Sequence, residues 1–276
     1  MSFREDSVPE PYLCKRVRRA PTVDGRLDDA VWQAAPRSPR FVDMVTGEPA
    51  WYGTQAAAVW DDENLYVAFW VEEPFVRARL TERDSLIFQE NDVELLIDGG
   101  DCYYEFEINA LGTVYEVFFV WKDSFGKGSR FDLPEFDVHT RKAYTFGGDY
   151  DRQARSFWKG THPRGTRWAF LDWDFPGLRS AVHVDGRIND DSVIDRGWTV
   201  ELALPWSGMG PLANGRAIPP REGDEWRMFF GRFQLLRAGG REIEPHPAWC
   251  WTPHGVYDTH RPECFTPIRF TEEHLD

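Results

Sequence analysis

Apolar and polar positions alternate with a period of two along most of this chain. Leu65, Val67 and Phe69 alternate with Tyr66, Ala68 and Trp70, and both sets are apolar. A strand apolar on both faces is covered on both, so Leu65 to Val71 is predicted as a central strand. Thr54 to Trp60 precedes it, and the polar turn Asp61-Asp62-Glu63-Asn64 makes the two a hairpin. Val93, Leu95 and Ile97 then form one face of a strand, with Asp92, Glu94, Leu96 and Asp98 on the other. Tyr104, Phe106 and Ile108 repeat the scheme against Tyr103, Glu105, Glu107 and Asn109. Two such strands side by side collect carboxylates on one surface. The default for such a surface is a solvated outer face. Further strands are predicted at Tyr12 to Val17, in VYEVFFVW after Gly112-Thr113, and at Leu178 to Ile188, Trp198 to Leu204, Glu225 to Phe233 and Cys264 to Phe270. Gly239-Gly240 suits a hairpin turn. One short helix is predicted, capped by Asp28, carrying Val31 and Trp32 and ending before Pro36.

Between Lys122 and Pro176 the rhythm breaks. That stretch is rich in Gly, Asp, Arg and aromatic residues, too aromatic for a disordered linker. It is predicted as an ordered insertion packed against the strands, of the kind that shapes a site. The expectation is one domain over residues 1–276, all-β, with two antiparallel sheets stacked as a jelly-roll-like sandwich.

Composition narrows the function. The net charge of −14 argues against nucleic acid and against anionic membrane surfaces. The amino terminus lacks the basic and apolar regions of a signal peptide, and no run approaches the ~20 apolar residues of a membrane span. The expectation is a cytoplasmic location or a chain whose leader has been removed. Cys14, Cys102, Cys250 and Cys264 show no zinc spacing and are expected to be free thiols. Thirteen Trp exceed what a core needs, and an indole face stacks well on a sugar ring, although core packing is the commoner fate of each one. No nucleophile elbow, P-loop or dinucleotide fingerprint occurs in a strand–turn–helix setting.

The segments VDGRLDDAVW, VWDDENLYVAFWVEEP, ENDVELLIDGG, YYEFEINALGT, DRGWTVELALPW, DEWRMFFGRF and WTPHGVYDTHRPECFTPIRF occur in this order from about residue 20 to 270. Together they resemble the family 9 carbohydrate-binding modules and their stand-alone relatives. The resemblance implies an antiparallel β-sandwich, sugar binding without covalent chemistry, and calcium as a structural ion. In that family two Trp side chains sandwich the sugar. Here Phe88 stands at the first position and Thr259 at the second, with Tyr257 and His260 near enough to substitute. A sugar-binding Glu matches Glu94. An Arg of the family is replaced by Glu107, and a loop Asn by Val256. The expected ligand-binding set is Phe88, Glu94, Glu107, Tyr257 and His260 from this match, Asn109 from the polar face of its strand, and Trp158 and Trp168 covering the site from the aromatic insertion. The implied partner is an oligosaccharide or glycoside. Which sugar, and in what oligomeric state, stays open.

The sequence also admits three other functions. A glycosidase needs two carboxyls flanking a sugar bond, and Glu94, Glu105 and Glu107 could supply a pair. A haem protein would use Met44, Met209 or Met228 with His139, His162 or His183, but packing accounts for these methionines. A protein-interaction sandwich would bind no sugar. His246, His254 and His260 match no metal signature; they are read either as residues that a Pro-rich loop tolerates or as hydrogen-bond partners beside a ligand. Arg261-Pro262 is expected to fix that loop.

Overall fold

A computed structural model describes residues 10–147, 162–238 and 241–275. The strands are β1 (Tyr12–Val17), β2 (Val42–Asp43), β3 (Thr54–Trp60), β4 (Asn64–Glu72), β5 (Asp92–Asp98), β6 (Cys102–Ile108), β7 (Val114–Trp121) and β8 (Ala143–Phe146). They continue as β9 (Arg167–Phe170), β10 (Arg179–Asp185), β11 (Gly197–Pro205), β12 (Glu225–Phe233), β13 (Arg237–Ala238), β14 (Arg241–Glu242), β15 (Ala248–Cys250) and β16 (Thr266–Leu275). The period-two runs thus become strands nearly where they were expected. No helix among the described residues is long and apolar enough to cross a membrane.

The sheet arrangement corrects one expectation. One large mixed sheet runs β10-β11-β4-β3-β1-β16-β12-β5-β6-β7-β9-β8, with β15 joined to β12 and β2 to β15, and β13 and β14 form a separate two-stranded sheet; the strands are mixed where wholly antiparallel sheets were expected. Its parallel pairings are β1 with β16 and β1 with β3. Residues from both halves of this sheet share one core. Val67, Phe69 and Leu202 from one half join Leu95, Phe106 and Phe230 from the other, with the Phe69 and Phe230 rings 6.0 Å apart. The other face of β4, with Tyr66 and Ala68, packs in a separate cluster with Trp32, so both faces of this strand are covered as its doubly apolar pattern required.

The described part of the insertion extends this architecture. Strand β9 pairs with β7, β8 pairs with β9, and Phe131, Phe136, Trp173 and Phe175 enter the shared core. Helix α1 (Ala30–Ala34) starts one residue later than expected, with Asp29 at its N-cap position. The Asp29 carboxylate accepts the Thr22 N–H at 2.6 Å and does not cap the helix. The turn before α1 is anchored by buried Glu201 of β11. Glu201 accepts the N–H groups of Asp24 and Gly25 at 3.0 and 2.8 Å and the Trp32 indole N–H at 2.6 Å. Gly25 has φ +83°, and a Cβ there would lie 2.6 Å from the Val182 carbonyl carbon, so only glycine fits. All four cysteines are free thiols.

Candidate functional site

The face of β5 and β6 that carries the carboxylates is not solvated. Glu94, Glu105 and Glu107 are 2%, 4% and 2% exposed. A second apolar cluster covers this face, drawing Tyr115, Phe119 and Trp121 from β7, Phe229 from β12, Ala248 and Cys250 from β15, and Phe265 after the C-terminal loop. Within this covering a cavity of about 690 Å³ remains.

Strand register builds its floor. Glu94 of β5 stands opposite Glu107 of β6, and Glu105 follows opposite Leu96. On the other side Glu94 faces Gly231 of β12, which adds no side chain. A Cβ at Gly231 would lie 2.3 Å from the Phe229 ring, so any other residue would push that ring aside.

Aromatic rings build the walls. Phe88, in the 3₁₀ turn Ile87–Gln89 just before β5, meets Tyr115 edge-on at 5.9 Å. Tyr257 from the C-terminal loop meets Phe233 edge-on at 5.8 Å, and its hydroxyl donates to the His246 carbonyl at 2.6 Å. The His260 ring packs against Phe146 and Phe119, with centroids 4.4 and 5.1 Å away. Its Nδ1 is 3.2 Å from the Tyr103 hydroxyl and its Nε2 3.5 Å from Glu105. Arg167 of β9 ties this wall to the insertion. It is buried, lies 4.2 Å over the Trp121 ring, and donates to the His260 carbonyl at 2.7 Å.

The electrostatics follow from burial among like charges. Burial, reinforced by Asp92 and Glu105, raises the Glu94 carboxyl well above its ordinary range. Burial, then Glu105, Glu94 and Asp92, does the same for Glu107, partly offset by the Phe88 N–H it accepts. Glu105 is pushed up to about 8 by burial and by Asp258, with Arg167 opposing. At neutral pH such carboxyls hold protons or a counter-cation. A protonated carboxyl both donates to and accepts from a ligand hydroxyl.

The cavity therefore brings together Phe88, Glu94, Glu107, Tyr257 and His260, with Glu105, His246 and Thr259 beside them. Other expected residues fall elsewhere. Asn109 is fully buried in a turn, donating to the Leu80 carbonyl and Glu90 and accepting the N–H groups of Leu111 and Thr113. It sits beyond the end of β6, where side-chain alternation no longer sets direction. Trp168 alternates with Arg167 and Ala169 and so points away from the cavity, under the Lys122 ammonium 4.0 Å from its ring. Trp158 lies outside the described residues. His254 is buried behind the loop, donating from Nδ1 to the Asp258 carbonyl at 2.8 Å. Met44, Met209 and Met228 are buried in the apolar clusters.

Sequence reasoning missed Tyr115, Phe119, Phe146, Arg167 and Phe233, all of which line the cavity. Tyr115 and Phe119 share a face with Glu105 and Glu107 by register, so the period-two pattern contained them. Arg167 and Phe146 lie on insertion strands whose pairing is long-range and leaves no local signal.

No protein-family profile matches the chain, and no curated protein matches it in sequence. Solved structures do match in fold. One is a candidate carbohydrate-binding protein from Bacteroides uniformis, with a TM-score of 0.54 and 14% identity, covering 94% of this chain and 98% of that one. Another is a family 9 carbohydrate-binding module from Caldicellulosiruptor kristjanssonii in complex with cellotriose, with a TM-score of 0.51 and 12% identity over 94% of this chain and 93% of that one. A third, a family 9 module from the same organism in complex with glucose, gives 0.50 and 12% over 94% and 95%. This chain shares the fold of those modules.

Proposed function

We propose that this chain binds a carbohydrate, an oligosaccharide or glycoside, without cleaving it, and that the sugar occupies the cavity over β5 and β6. The observation that carries the reading is the pairing of aromatic walls with a carboxyl floor in one concave site. Rings take the apolar faces of a pyranose and carboxyls take its hydroxyls. At about 690 Å³ the cavity has the size of a small-molecule site. The shared fold with modules solved in complex with cellotriose and glucose supports the same class of ligand. The residues differ from the family pattern, with Phe88 for a Trp and Glu107 for an Arg, so a different set of hydroxyls is expected to be read.

A glycan array followed by calorimetry tests this. One or more glycans should bind the wild type and bind Phe88→Ala weakly. Failure of every glycan would leave the protein-interaction reading in its place.

One observation favours a hydrolase, the close pair Glu94 and Glu107. As directly opposed residues of neighbouring strands they project side by side from the floor. A glycosidase holds its two carboxyls on either side of the scissile bond. Turnover of aryl glycosides that disappears in Glu94→Gln would reverse this assignment.

A further inference from the structure

A second groove, of about 490 Å³, shares no lining residue with the cavity. It lies on the face of β4 that turns away from the shared core, where Trp70 packs on the cluster around Trp32. Register sets its floor. Gln55 of β3, Trp70 of β4, Thr199 of β11 and His183 of β10 stand opposite one another in a row across four strands. At about 4.8 Å between neighbouring strands that row is about 14 Å long, more than one sugar ring spans. Glu72, Gly197 and Asp185 form the next row. Gly197 adds no side chain to it, and a Cβ there would lie 1.9 Å from the Val71 carbonyl oxygen.

The groove reverses the charge of the molecule, which is −14 overall. Arg26, Arg40 and Arg196 line it against Glu72 and Asp185, and the Arg37 guanidinium lies 3.9 Å from the Trp70 ring. Arg26 and Arg37 make no ion pair among the described residues. Arg40 and Arg196 are loosely paired, each at 3.4 Å, with exposed Glu72 and Asp185. Trp70 is only half-buried, so part of its ring stays open to the groove. Ile194 at 81% and Trp51 at 70% are the most exposed large apolar side chains among the described residues. They lie two residues from Arg196 and Gly53, which line the groove on either side of Glu72.

We propose that this groove is a second ligand site, for a carboxylate-bearing sugar chain of the uronic acid class. An arginine fork pairs two N–H groups with one carboxylate. Glu72 and Asp185 repel a ligand charged along its whole length, such as nucleic acid, and accept from sugar hydroxyls instead. The open part of Trp70 takes the apolar face of a ring. A bare phosphate would use the arginines and leave Trp70 and both carboxylates without a partner. The proposal goes beyond the cavity reading and does not depend on it.

Calorimetry at low salt on the full chain tests this, with trigalacturonic acid as the probe and its methyl ester and inorganic phosphate as controls. The acid should bind, and the uncharged ester should bind about tenfold more weakly. The double variant Arg26→Gln, Arg196→Gln should weaken the acid about tenfold, and added sodium chloride should weaken it in the wild type. Both arginines are exposed, so this variant should unfold at the wild-type temperature. Phe88→Ala, in the cavity, should bind the acid as wild type does. Absence of binding would overturn the proposal, as would equal affinity for the ester or in the arginine variant. Loss of acid binding in Phe88→Ala would also overturn it, by placing the acid in the cavity. Phosphate bound as tightly as the acid would do so too, leaving an anion patch with no sugar specificity. Neutral glycans that bind while the acid does not would remove this groove and leave the proposed function. Acid bound with no neutral glycan bound would do the reverse.

Discussion

Phe88 keeps 42% of its surface exposed, a large apolar side chain held at a cavity rim by a 3₁₀ turn. Its packing against Tyr115 is one edge contact, so truncation should cost little stability. If it stacks on a sugar ring, Phe88→Ala should weaken glycan binding by about 1–3 kcal/mol, the range for an anchoring contact. Calorimetry on the best array ligand measures this, and an unchanged affinity would take the sugar away from that wall. Behind the same site His254 sets a pH response. Its Nδ1–H donates to the Asp258 carbonyl, and its Nε2 is buried with no hydrogen bond among the described residues. Burial lowers it to about 4, below the ordinary 6.5. The unfolded chain therefore takes up a proton first as pH falls. The stabilisation is complete above about 6.5 and is lost as pH falls toward 4, amounting to roughly 3 kcal/mol. In denaturant titrations at pH 7 and pH 4, His254→Gln should lose less stability than wild type. Equal losses would mean that the imidazole is not held neutral. The loop at stake carries Tyr257 and His260, so acid should loosen the site before the core.

At the scale of elements, Glu201 fastens the amino-terminal turn and α1 onto β11 through three hydrogen bonds to one buried carboxylate. Glu201→Ala strands two backbone N–H groups and an indole N–H, which should cost about 3 kcal/mol. Hydrogen exchange should rise over residues 22–35 while β5 and β6 stay protected. Uniform loss of protection would contradict a local anchor. The segments VDGRLDDAVW and DRGWTVELALPW belong together in sequence because this contact joins them, so they report fold and not ligand. Elements with their own alternation, such as β4, β5 and β12, were legible because each strand's burial is written in its own residues. The cavity floor was half legible. The pattern put Glu94, Glu105 and Glu107 on one face but left that face in water, since its cover comes from β15 and a loop more than a hundred residues away. Asn109 extended the same alternation by one residue and was misplaced, because a turn had already begun there. The insertion offered composition only, and the pairing of β9 with β7 that aims Arg167 into the site is not encoded locally.

For the whole molecule, the question is what keeps the two halves of a continuous sheet folded over one core. Apolar burial supplies most of it, and a buried polar network fixes the alignment. Glu73, just after β4, accepts from the Trp198 indole of β11 at 2.8 Å, from Asn91 before β5, and from Gln234 after β12 at 3.4 Å. The Arg232 guanidinium of β12 lies 3.6 Å from Glu73 and donates to the Thr54 hydroxyl and the Glu72 carbonyl, both at 2.9 Å. Both charged side chains are essentially inaccessible, at 0% and 1%. This one cluster therefore links β3, β4 and β11 to β5 and β12. Removing one member leaves a charge without its counterpart, so Arg232→Ala should destabilise by about 3–5 kcal/mol in chemical denaturation. Replacing both, Arg232→Met with Glu73→Gln, should recover much of that loss, because the attraction between buried charges largely offsets their desolvation and adds little net stability. Phe233 and Asp92 adjoin this network and belong to the cavity wall and to the floor beneath it. The double variant should thus fold yet bind glycan more weakly than wild type, as register between the halves relaxes. Full affinity in a stable double variant would show that packing alone sets the register, and that the buried pair contributes nothing to the shape of the site.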